Sequence, residues 1–242
     1  LITGASRGIG EPSAKLFSLY GSKVAVNYHG GKEDAEKVAD EIIKQGGEAF
    51  VIGADVSDRE QVRQMVKAVS EKLGGIDILV NNAVRDAYPV PFLELSWEEI
   101  QKDLDVTVKG AFNCCQEVLP LMIKNESGKI INLSTILADN PLPKLSKYVV
   151  SKMSLVGLTR SLAVEVAPYG IQVNMVAPSI VETDLTKHVP KVRLESMKIS
   201  TPMQRNATPV DVAKAVVLLA SALTPFTTGQ KIMVTGGNPP FF

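Results

Sequence analysis

The chain has 242 residues, 45% of them hydrophobic, which suffices for one sizeable core and a single α/β domain. Its 26 basic and 26 acidic residues cancel, so no global field draws it to nucleic acid or an anionic membrane, and partners have to be recognised locally. Cys114 and Cys115 are adjacent in an apolar stretch, no run has the length of a membrane span and no signal pattern opens the chain, so a protein of a reducing cytoplasm is expected.

The first residues, Leu1 and Ile2, read as the tail of an apolar strand; without an initiator Met, a few residues are expected to precede them. Thr3 to Gly10 form a glycine-rich turn, and a helical pattern covers 9–20. Strands are then expected at 23–27, 49–53, 76–80, 129–133, 171–176 and 231–234, each a short apolar run rich in β-branched residues. Helices are expected between them at 33–45, 58–73, 97–123, 145–167 and 209–222. Strict alternation of strand and helix implies right-handed crossovers and a doubly wound, Rossmann-type, mostly parallel sheet of seven strands, counting the first fragment, with helices on both faces. The whole of 1–242 reads as one domain, and an irregular stretch at 184–208 follows a strand end, where a substrate lid belongs. Lys187, Lys191, Arg193, Lys198 and Arg205 make that stretch basic, which suits a solvated loop, an anionic substrate or an acidic carrier.

Three places carry chemistry. In the first turn, Gly4 permits a tight bend, Gly8 and Gly10 permit close approach, and the amides around Ser6, Arg7 and Ile9 open a helix that can hold a pyrophosphate. Where the next strand ends, at Asn27 and Tyr28, no acidic residue appears before Glu33. Arg7 can meet a 2′-phosphate through a forked contact, so NADP(H) is expected over NAD. Tyr148 and Lys152 stand four apart and share a helix face. A cation about 4 Å from the phenol is worth roughly 4 kcal/mol at an effective dielectric near 20, enough to bring it from about 10 to around 7 and make it a usable acid or base. Taken alone, the pair also fits a packed tyrosine beside a solvated lysine. His29 and His188, the only histidines, have no ligand cluster around them, so no metal is expected.

Together with Asp55 and Val56, Asn81 to Ala83, Ser134 and Thr135, Asn174 to Pro178, and Thr183, these motifs resemble the short-chain dehydrogenase/reductase family nearly end to end, most of all its 3-oxoacyl-acyl carrier protein reductases. The resemblance implies that Tyr148 exchanges a proton with a carbonyl oxygen, with Lys152 lowering its pKa and bonding the nicotinamide ribose. It also implies that Asp55 and Val56 flank the adenine, that Asn82, beside Ala83, meets the adenosine ribose, and that Val181 and Thr183 meet the nicotinamide amide. The implied activity is NADPH-dependent reduction of a carbonyl, a 3-oxoacyl thioester among the candidates, in a homodimer or homotetramer packed through Ser154, Gly157 and Ser161, with the 239–242 tail able to dock on a partner. Acyl carrier protein is a candidate partner through Lys124 and Lys129, although Tyr169 stands where carrier-binding relatives tend to have a basic residue.

Three positions depart from the family pattern. Thr135 occupies the place of the catalytic serine, with Ser134 one step earlier; Thr107 replaces the asparagine of the proton relay; and Val84 replaces a glycine beside the cofactor. If that glycine's conformation or missing side chain is needed, valine costs about 1 to 3 kcal/mol. The alternative reading is therefore a catalytically impaired dinucleotide-binding member acting as assembly partner or regulator.

Overall fold

A computed structural model describes residues 1–239, so Phe241 and Phe242 of the expected docking tail, with Pro240, lie outside the described residues. In chain order the elements are α1 (Gly10–Leu19), β1 (Val24–Tyr28), α2 (Lys32–Lys44), β2 (Ala49–Gly53), α3 (Arg59–Leu73), β3 (Ile78–Asn81), α4 (Trp97–Leu104), α5 (Gly110–Lys124), β4 (Gly128–Leu133), α6 (Ser146–Val166), β5 (Ile171–Pro178), α7 (Lys191–Ser200), α8 (Pro209–Ala220) and β6 (Lys231–Val234).

All strand pairs are parallel. β1 pairs with β2, and β3, β4, β5 and β6 follow one another in that order. The two groups are joined by the first residues: Ile2 bridges Val26 on one side and Val80 on the other. Ile2 N donates to Ala25 O at 3.1 Å and Thr3 N to Val80 O at 3.0 Å. The expected seventh strand is thus a connecting segment, not a strand, because Gly4, at φ +59°, turns the chain away immediately after Thr3. Six strands are present among the described residues. The chain runs outward from this segment in both directions, which makes the crevice above Thr3 the switch point where such sheets bind ligands.

Two cores lie on opposite faces, as the alternation of strand side chains requires. Leu79 and Ile130 pack with Val62, Met65 and Val69 of α3 and Cys114, Val118 and Met122 of α5. Their chain neighbours Val80 and Ile131 pack with Phe17 of α1, Val38 and Ile42 of α2, and Val212, Val216 and Leu219 of α8. Burial pushes both cysteine thiols up, Cys115 to about 12, so these residues serve as core. The helix starts are set locally: Asp58 accepts from Glu60 N and Gln61 N at the head of α3, and Thr208 and Asp211 form a capping box before Pro209. Among the described residues, no helix is long and apolar enough to cross a membrane.

Two expectations change. The helix expected over 97–123 is interrupted by a π turn at Asp105–Lys109. The interruption adjoins a close tertiary contact, since a Cβ on Gly110 would lie 2.6 Å from Val56 Cγ2. The stretch expected to be irregular at 184–208 holds a 3-10 turn at Asp184–Thr186 and the helix α7, none of whose residues is buried.

Candidate active site

The turn after Thr3 is held by side chains of neighbouring strands. Asn82 Nδ2 donates to the carbonyls of Thr3 and Gly4, both at 2.9 Å, and the amides of Asn82 and Ala83 donate to Thr3 Oγ1 at 3.0 and 3.1 Å. Asn27 accepts from Gly4 N at 3.2 Å and donates to Ile52 O at 3.3 Å and Ala54 O at 3.2 Å. Both asparagines therefore build the turn; their amide nitrogens are spent on backbone carbonyls. Gly8, at φ +62°, keeps a conformation that a side chain would strain, and a Cβ on Gly10 would lie 2.6 Å from Gly4 O.

Above this turn is a cleft of about 820 Å³, lined by Gly4, Ser6, Arg7, Gly8 and Ile9, by Asn27, Asp55, Val56, Asn82, Ala83 and Val84, and by Thr183. A dinucleotide fits this chemistry: the glycines leave room for backbone to approach a pyrophosphate, and the head of α1 points its free amides there. Arg7 is exposed at the rim, 3.7 Å from Asp184. Asp55 is tied down by Ser57, whose amide and hydroxyl donate to it at 2.8 and 2.7 Å. Tyr28 does not line the cleft; its ring lies against Gly53, while His29 and Gly30 line the cleft instead. Gly10 and Val181 also stand back from it: Gly10 packs under the turn, and Val181 is buried and bridges Ala207. Val84 lines the cleft and, among the described residues, is not one of the non-glycine residues with positive φ, which are Glu126, Lys144 and Gln204, so its backbone does not need glycine's conformation.

The second group of residues, Thr107, Ser134, Thr135, Tyr148 and Lys152, is buried and does not line the cleft. Thr135 follows β4 and caps a short 3-10 turn, accepting from Leu137 N at 3.2 Å. Ser134 is buried beside it, and its hydroxyl has no hydrogen-bond partner among the described residues. Thr107 is buried in the π turn, a device that recurs at functional sites. Tyr148 and Lys152 lie on α6, both buried, and Lys152 Nζ donates to Leu133 O at 2.6 Å and stands 5.9 Å from the centre of the Tyr148 ring. The pair is brought together as its spacing implies, but the expected fall of the phenol toward 7 does not occur. Burial pushes Tyr148 up to about 12, the neighbouring Thr135 hydroxyl pulls it the other way, and Asp103 raises it further. Burial also drives Lys152 down to about 8, with Asp103 opposing. Desolvation is the largest cause of both shifts, and the ammonium turns to a backbone carbonyl.

Around this pair lies an ion cluster that the sequence does not announce. Arg85 donates to Glu99 at 2.9 Å and to Asp103 at 3.3 Å, and Lys147 meets Asp86 at 2.5 Å. These contacts tie residues 84–91, the segment leaving β3, to α4 and to the first turn of α6; Val90 N donates to Lys144 O at 2.7 Å in support. The Tyr88 ring packs on His188 with centroids 4.6 Å apart, joining the same segment to the loop after β5. Its members come from three separate parts of the sequence, and only the fold collects them.

A glycine turn at the switch point of a parallel sheet, together with a buried tyrosine, lysine and hydroxyl, defines a dinucleotide-binding oxidoreductase. The short-chain dehydrogenase profile described as enoyl-(acyl carrier protein) reductase matches residues 4–238. A 3-oxoacyl-[acyl-carrier-protein] reductase of Staphylococcus aureus is 41% identical over 239 residues, covering 98% of this chain and 96% of that one. The enzyme of the same description from Synechocystis sp. is 36% identical over 244 residues, covering 100% and 96%. The crystal structure of a gluconate 5-dehydrogenase from Burkholderia cenocepacia in complex with NADP and tartrate superposes with a TM-score of 0.91 at 31% identity, over 98% of this chain and 92% of that one. The chain belongs to the short-chain dehydrogenase/reductase family and is an enzyme of it.

Proposed function

We propose that the protein reduces the ketone of a 3-oxoacyl thioester to the alcohol with NADPH. The observation that carries this reading is the buried Tyr148, Lys152 and Thr135 group together with a cleft whose turn suits a pyrophosphate. Bound NADPH supplies a hydride to the carbonyl carbon. Thr135 donates a hydrogen bond to the carbonyl oxygen and orients it, and Tyr148 delivers its phenolic proton to that oxygen as negative charge develops. Lys152 stands behind the phenolate and offsets its charge until solvent returns the proton. With its pKa up at about 12, Tyr148 holds its proton throughout the neutral range, and an alkoxide is far more basic than a phenolate. Reduction uses this protonated form, whereas oxidation would need Tyr148 deprotonated as the base.

NADPH is preferred to NADH because the ribose side of the cleft presents Arg7 and His29 and, from β1, no carboxylate. Residues 184–208 act as the lid, in line with the contacts of His188 with Tyr88 and of Asp184 with Arg7. On that lid Lys187, Lys198 and Arg205 are paired with Asp184, Glu195 and Asp211, which leaves Lys191 and Arg193 without an acidic partner among the described residues and available to an acidic carrier. Exposed Phe112, Val150 and Met153 on α5 and α6 support a homodimer or homotetramer. The test is NADPH oxidation with a panel of 3-oxoacyl thioesters and simple ketones. Turnover of the thioesters is expected; tight nucleotide binding with no turnover of any carbonyl would favour the impaired-member reading.

A further inference from the structure

Among the described residues, the only buried charged side chains are Asp103, Lys147 and Lys152. Lys147 precedes Tyr148, Lys152 follows one turn later, and Asp103 lies on α4, which packs against α6. Elsewhere among the described residues charged side chains keep some exposure, the least exposed ion pair being Lys231 with Asp139, in line with the cost of desolvating an ion. Lys147 has Asp86 as an ion partner, whereas Lys152 has no carboxylate within 4.0 Å and bonds only Leu133 O. Asp103 is the complementary case: Oδ1 accepts from Arg85 at 3.3 Å, but Oδ2 is buried without a hydrogen-bond partner. It stands one turn before Thr107, on the segment that faces the proton-transfer pair.

Resting on the reductase reading above, we propose that Asp103 is a positioning residue of that reaction, a buried counter-charge that keeps Lys152 an ammonium and Tyr148 protonated through space. The groups facing it from every packed element are Arg85 and Asp86 of the 84–91 segment, Glu99 of its own helix, and Lys147, Tyr148 and Lys152 of α6. Burial raises Asp103 above the ordinary carboxylate value, Lys147 and Arg85 oppose that rise, and Asp86 adds to it. Its field acts on both members of the pair in the same sense: it raises Lys152 against burial and raises Tyr148 with it. Because the site is largely shut from water, the interaction is weakly screened and operates without direct contact. This gives the chain a way to hold the relay charged although Thr107 replaces the relay asparagine.

The test is Asp103→Asn, which keeps an acceptor for Arg85 and removes the charge, read as the pH dependence of kcat with NADPH and a 3-oxoacyl thioester. The alkaline limb is expected to move down by about one pH unit, a tenfold loss on the falling side, with the Kd for NADPH within about twofold of wild type. Glu99→Gln, which removes a charge of the same cluster nearer the surface, is expected to leave the limb in place. A second readout needs no turnover: in protein labelled with 15N-lysine, the ammonium resonance that Lys152→Met identifies as Lys152 should titrate at lower pH in Asp103→Asn. If the asparagine variant does not fold, Asp103→Leu serves, because Arg85 keeps Glu99 and Lys147 keeps Asp86. An unmoved limb and an unmoved Lys152 titration in a folded variant overturn the proposal. A shifted titration in a protein that turns over no carbonyl sustains the counter-charge but sinks the reductase reading and, with it, the role of Asp103 in that reaction.

Discussion

Replacing Lys152 by methionine is expected to stabilise the fold while it removes the reaction's ammonium. The side chain is 3% exposed, and burial lowers it from 10.5 to about 8. At about 1.4 kcal/mol per pH unit, holding that proton at neutral pH costs the native state roughly 3 kcal/mol relative to an uncharged side chain. Methionine fills a similar volume without the charge but leaves Leu133 O unbonded, a loss of about 1 kcal/mol. The net gain is about 2 kcal/mol, or roughly 4 to 8 °C in Tm for a chain of this size. The sign with pH is set by linkage. Between about pH 8 and 10.5 the unfolded chain binds this proton and the native protein does not, so wild-type stability rises with pH across that window. The advantage of the methionine variant therefore shrinks as pH climbs. Tyr148, raised from 10.0 to about 12, acts in the opposite sense above pH 10 but is common to both proteins. Urea unfolding followed by far-ultraviolet circular dichroism at pH 7, 8.5 and 9.5 measures the difference. A variant less stable than wild type at pH 7, or two curves that stay parallel, would refute the reasoning.

Gly10→Ala should weaken NADPH binding about 10- to 100-fold, because overpacking costs about 1 to 3 kcal/mol and the new Cβ would meet Gly4 O at 2.6 Å and Ala5 Cα at 2.7 Å, both backbone. Calorimetric titration checks it, and unchanged affinity with unchanged Tm would show that the turn relaxes freely. Arg7→Ala should raise the Kd for NADPH about tenfold and leave NADH unchanged; equal losses for both would place Arg7 away from the 2′-phosphate.

Much of this was legible in the sequence where a residue type has one physical use. Gly4 and Gly8 stand out because a glycine-rich turn between strand and helix calls for a left-handed backbone that side chains strain, and Tyr148 with Lys152 because helix spacing alone puts them on one face. What the spacing could not supply was the balance of energies: it shows a cation near a phenol, not that both would be desolvated and that the ammonium would turn to Leu133 O. The π turn at Asp105–Lys109 was hidden because the apolar pattern continues through it and a contact between Gly110 and Val56 accompanies it. The α7 helix was hidden for the opposite reason, since it buries nothing and carries no amphipathic stripe. Arg85, Asp86, Asp103 and Lys147 come from separate parts of the chain, and their convergence depends on α4 packing against α6.

The most direct test of the account is single-turnover NADPH oxidation with a 3-oxoacyl thioester by wild type and by Tyr148→Phe, with nucleotide affinity measured in parallel. Losing the proton donor should slow the chemical step by about 10²- to 10⁴-fold, while the phenylalanine variant binds NADPH as wild type does. Turnover at the wild-type rate in that variant would remove Tyr148 from the reaction and contradict the mechanism.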